Sequence, residues 1–77
     1  MEITVLGLGH VKSSLTEETV RQVLVAEGCH ARVEKIIGCK EIAPYGIFLT
    51  PAVVIDGEVK CVGRIPMAEE VRAWIVK

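Results

Sequence analysis

The chain opens on an alternation of apolar and polar residues, "EITVLG", rich in β-branched types. This predicts a strand over 2–6 that ends at Gly7 and Gly9. The next stretch changes period. Leu15, Val20, Val23 and Leu24 fall at helical spacing, Ser14-x-x-Glu17 has the form of a capping box with Glu18 beside it, and Gly28 stands where a helix closes. These signals predict a helix over about 14–27, with Leu15 at the head of its buried stripe. Alternation returns in "ARVEKII", a strand over 31–36. Two strands flanking one helix make a β-α-β unit, which requires parallel strands and a right-handed crossover.

The second half reads differently. "GCKEIAPYGIF" carries Pro44, which fits a first helical turn and not a helix interior, so one or two distorted turns are expected within 39–48. "TPAVVIDGEVKCVG" holds two β-rich runs joined by Asp56-Gly57, a strong two-residue hairpin signal, giving strands over 52–56 and 58–62. Met67, Val71, Trp74 and Ile75 mark a last helix over 67–76, with Met67 and Trp74 expected on its core face. The order is β-α-β-α-β-β-α. A ferredoxin-like metal carrier of this size would need a closing strand, and none remains.

Composition narrows the function classes. Seventy-seven residues make one domain, residues 1–77, and 51% hydrophobic with 25% charged residues suits a packed protein. Aromatic residues are 4%, so the core is aliphatic. A net charge of −1 lacks the footprint of a nucleic-acid binder. No apolar run nears the ~20 residues of a membrane helix. "MEITVLG" has neither the basic region nor the length of a signal peptide, so the expectation is a cytoplasmic protein with no membrane partner. No cofactor is expected. So small a core makes a homodimer plausible, with nothing to fix its surface.

The element order, with "TP" leading into the third strand, resembles a minimal thioredoxin-like domain. Within that class the chain is similar to the small glutaredoxin-like redox-active disulfide proteins of archaea and bacteria. The likeness runs through "ITVLGLG", "ARVEKI", "TPAVVIDGEVKCVGRIP" and "AEEVRAWI", almost the whole chain. It implies a four-stranded mixed sheet in order 2-1-3-4, the third strand antiparallel to the first. The helices lie on both faces, the first and last on one and the segment 39–48 on the other. It also implies a cis peptide at Pro51 and a groove beside Thr50 and Pro51 that receives a protein or peptide. The family carries C-x-x-C directly after the glycine turn. Here those two positions are His10 and Ser13, in "HVKS". Neither imidazole nor hydroxyl carries disulfide exchange, so ordinary dithiol oxidoreductase activity is not expected at this place.

The remaining chemistry-bearing residues are few. A helix starting near His10 would keep that imidazole neutral, able to ligate metal or accept a proton; the alternative is a turn histidine without a role. Lys12, Ser13 and Ser14 could hold an anion at a helix start, or only cap it. Ser13 has no base and acid beside it for hydrolase chemistry. Gly7-Leu8-Gly9 begins a dinucleotide fingerprint, but position 12 is Lys where the third glycine belongs. The three cysteines, Cys29, Cys39 and Cys61, form no C-x-x-C and no disulfide framework. Cys39 follows the second strand, at the sheet edge where the first strand delivers His10, so His10 could activate its thiol. Cys61 alternates with Val59 and is expected against a packed surface. His30 has no evident partner, and Lys60 and Arg64 read as solvated charges. Three functions stay open: a redox-degenerate binding or adaptor module, a thiol sensor or carrier acting through Cys39, and a small metal-binding protein using Cys39 and His10.

Overall fold

A computed structural model describes residues 1–7, 11–47 and 49–76; the side chain of Cys39 lies outside this description. The elements are β1 (Glu2–Leu6), α1 (Val11–Ala26), β2 (Arg32–Ile36), α2 (Cys39–Ile42), a 3-10 turn (Ala43–Tyr45), β3 (Ala52–Ile55), β4 (Glu58–Val62) and α3 (Ala68–Ile75). The sheet order is β2-β1-β3-β4, parallel between β1 and β2 and antiparallel elsewhere. This is the thioredoxin-like α/β architecture expected from the sequence.

Alternation along the central strands divides the core in two. Ile3 and Val5 of β1 and Val53 and Ile55 of β3 point to one face, where they meet Val20, Val23 and Leu24 of α1 and Val71 and Ile75 of α3. Leu6, Ala52 and Val54 point to the other, where Ile42 and Ile47 cover them. Pro44 lies at the start of the 3-10 turn, where its missing N–H costs nothing. The hairpin turn has positive φ at both Asp56 (49°) and Gly57 (83°), the conformation that an Asp-Gly pair favours. Asp56 also clamps the sheet edge. Its Oδ1 accepts from the Glu2 N–H at 2.8 Å, and its own N–H donates to the Glu2 carbonyl at 2.8 Å.

Three expectations are corrected. First, α1 begins at Val11, so Ser14 lies inside the helix and is not its N-cap. The buried stripe runs Ser13, Thr16, Val20, Val23 and Leu24, while Leu15 is 44% exposed. The reason is close approach. A Cβ at Gly7 would overlap the Ser13 Cβ, so this end of α1 meets β1 through small residues, and Leu15 has no room there. The Thr16 hydroxyl, also buried, donates to the Lys12 carbonyl at 2.8 Å. Second, Val53 faces Cys61 while Val54 faces Val59, which leaves Lys60 as the extra residue of a β-bulge. The bulge cancels the alternation, so Cys61 enters the core shared with α1 and α3 and Val59 turns to the opposite face, 41% exposed. Third, Met67 precedes α3 and is 67% exposed, whereas Trp74 packs against the core as expected.

Candidate functional site

The C-terminal end of β1, the start of β3 and the end of β4 share one edge of the sheet. Gly7 closes β1 there, its N–H donating to the Ile36 carbonyl at 2.9 Å. At its first residues α1 presents Val11 and Lys12 to solvent and turns Ser13 inward against Gly7, 1% exposed. Ser14 lies on the outer flank, where its hydroxyl accepts from the Lys35 ammonium at 3.3 Å. Lys35 also approaches Glu17 at 3.8 Å. The two hydroxyls are therefore not presented side by side, and the sequence reading of Ser13 and Ser14 as one anion cradle is not assembled. His10 lies outside the described residues. The main chain of Cys39 opens α2, but its side chain is likewise outside the description, so the expected pairing of these two belongs with them. Among the described residues, no group of three or more His, Cys, Asp and Glu side chains gathers as a metal site.

Thr50 and Pro51 stand at the same edge. Their peptide bond is cis, Pro51 is buried and Thr50 is half-buried. The Pro51 carbonyl accepts from the Gly63 N–H at 2.8 Å, tying the entry of β3 to the exit of β4. Leu49, 65% exposed, lies over Gly63, whose Cβ position would be 3.2 Å from the leucine Cβ. Val62, opposite Ala52, is also exposed. Thr50 thus sits in an apolar rim, which the sequence reading missed because Leu49 falls between the predicted elements and Val62 reads as an ordinary strand residue.

The loop after Gly63 is fastened from behind. The Arg64 guanidinium makes two hydrogen bonds to the Glu70 carboxylate, at 2.7 and 2.6 Å, in the paired geometry that arginine favours. Glu70 Oε1 also accepts from the Met67 N–H at 3.1 Å. Arg64, then the Met67 N–H, hold the Glu70 carboxyl down to about 2. Arg64 is therefore a loop anchor; the Arg-x5-Glu spacing was the available signal, obscured by the intervening Pro66. The Cys61 thiol donates to the Arg64 carbonyl at 3.4 Å, and burial pushes its pKa up.

With this fold and edge in hand, likeness to known proteins becomes specific. Residues 1–76 match the family model described as "Thioredoxin domain". The chain belongs to the thioredoxin family. It is 31% identical over 72 residues to a thioredoxin of Methanothermobacter thermautotrophicus, covering 94% of each chain. It is 33% identical over 70 residues to a thioredoxin of Methanocaldococcus jannaschii, covering 91% of this chain and 80% of that one. In this thioredoxin-family chain, the described thiols are unpaired. Cys61 is buried under α3, and Cys29 is half-buried beyond the end of α1; both are free. No helix among the described residues is long and apolar enough to cross a membrane.

Proposed function

We propose that this thioredoxin-fold chain is a redox-degenerate binding or adaptor module, which receives a protein or peptide segment in the groove beside Thr50 and Pro51. The observation that carries the reading is the cysteine spacing: Cys29, Cys39 and Cys61 contain no C-x-x-C, so no adjacent thiol pair exists for dithiol exchange. The resemblance puts the lost cysteines at His10 and Ser13, and a serine hydroxyl 1% exposed under Gly7 is no substitute for a resolving thiol. The binding half of the site fares otherwise. Thr50 holds a half-buried position at the sheet edge, with exposed apolar neighbours at Leu49 and Val62, which suits an extended segment with apolar side chains.

Insulin reduction tests the reading. With dithiothreitol as electron source, the chain is expected to precipitate insulin no faster than dithiothreitol alone. The His10→Cys/Ser13→Cys variant is expected to accelerate it. A rate for the unmodified chain equal to that of a C-x-x-C thioredoxin would overturn the proposal. A rate abolished by Cys39→Ser would do the same, and would assign the chemistry to that thiol.

A further inference from the structure

Of the two outer strands of the sheet, β4 is interrupted by its bulge at Lys60, while β2 is regular over its whole length. The Arg32 N–H donates to the Met1 carbonyl at 3.0 Å, and the Ile36 carbonyl accepts from the Gly7 N–H at 2.9 Å. In a parallel ladder of this register, Arg32, Glu34 and Ile36 direct their main-chain groups to β1. Val33 and Lys35 therefore direct theirs outward, as a template for another strand. Edge strands that resist pairing do so through charged side chains, lysine above all. Here Arg32 and Glu34 are opposite in sign and project from one face of the strand, both exposed. Neither side chain has an ion-pair partner among the described residues.

We propose that a second copy of this chain adds to this edge, β2 against β2 and antiparallel, about a two-fold axis through Val33. The register follows from three conditions at once. Outward-facing main-chain groups must meet, side chains on one face must stay on that face, and facing charges must be opposite. With Val33 facing Val33 of the second copy, their N–H and carbonyl groups exchange two hydrogen bonds. Arg32 then faces Glu34 of the second copy, and Glu34 faces its Arg32, giving two ion pairs related by symmetry. Lys35 faces Ala31 of the second copy. Centring the axis on Glu34 sets two carboxylates against each other, and centring it on Lys35 sets two ammonium groups together, so charge selects Val33. On the face covered by α1, a groove of about 480 Å³ lined by Arg21, Leu24, His30, Ala31 and Val33 borders this edge. The dimer has one eight-stranded sheet, with the two Thr50–Pro51 edges at opposite ends. It is independent of what the groove beside Pro51 binds.

Sedimentation equilibrium on the chain and its charge variants tests the pairing, with circular dichroism to verify that each folds. The unmodified chain is expected to dimerise. Arg32→Glu alone and Glu34→Arg alone, which each place like charges opposite one another twice, are expected to weaken the dimer by about tenfold or more. An equimolar mixture of these two single variants makes every facing pair opposite in sign again, so it is expected to dimerise as the unmodified chain does. The double variant R32E/E34R, with the charges exchanged, is expected to dimerise too. A chain that remains monomeric at about 1 mM overturns the proposal. So does a dimer indifferent to the single variants, or a mixture that fails to restore it.

Discussion

Gly7→Ala is the sharpest test of how α1 is seated on β1. A Cβ built at Gly7 overlaps the Ser13 Cβ and stands 2.8 Å from its Oγ, with the Ser13 Cα at 3.6 Å. Rotating the serine hydroxyl moves Oγ but leaves Cβ in place. Ser13 is 1% exposed, so it has no space to yield into. The helix end must retreat, or the strand end must move while Gly7 stays hydrogen-bonded to Ile36. Overpacking of this kind costs about 1–3 kcal/mol, and with main chain on both sides the upper part of that range is expected. For a 77-residue domain, whose whole stability is roughly 4–12 kcal/mol, this is a large share. Urea unfolding followed by circular dichroism measures it. Ser13→Gly removes both of the close atoms and leaves the main chain of residue 13 at an ordinary van der Waals separation. Gly7→Ala should therefore cost much less in a Ser13→Gly background, after the ~1 kcal/mol that glycine itself costs in a helix is subtracted through the single variant. Ser13→Ala keeps the offending Cβ and should give no relief. Additive effects of Gly7→Ala and Ser13→Gly, or a Gly7→Ala cost within about 0.5 kcal/mol of zero, would refute the close-approach account.

Two further outcomes follow from the loop behind the groove. Iodoacetamide at pH 8, read by peptide mass, should label the half-buried Cys29 well before Cys61, whose thiol is buried and raised by desolvation; equal rates in the native protein would contradict the burial of Cys61. The Arg64–Glu70 pairing should carry an acid limb. Because Glu70 is held down to about 2 from an ordinary 4.5, its contribution to stability is present at neutral pH and is lost as pH falls through that interval. The gap in urea midpoint between the unmodified chain and Glu70→Gln should therefore narrow from pH 5 to pH 2, and a gap constant over that range would contradict the pairing.

The local grammar of this chain carries most of its fold. Alternation in "EITVL", the period change after Gly9, the Asp56-Gly57 turn and Pro44 each act through neighbours a few residues away, so the element order is written in the sequence itself. Residues 1–76 also carry the family likeness, and the absence of C-x-x-C is legible without any structure. What tertiary packing decided is which surface each residue meets. The first turns of α1 offered Leu15 as the apolar choice, yet the distance between helix and strand at Gly7 admits only Ser13, and the helix rotates and begins accordingly. A bulge depends on how two strands meet, so the sequence of β4 alone could not tell that Val59 and Cys61 part to opposite faces. Nor could it show that Arg64 is paired with Glu70, or that Arg32 and Glu34 are left facing outward on an open edge. Periodicity specifies which way a side chain points along its own element; what lies opposite depends on packing between elements, and that is set by distances no single segment contains.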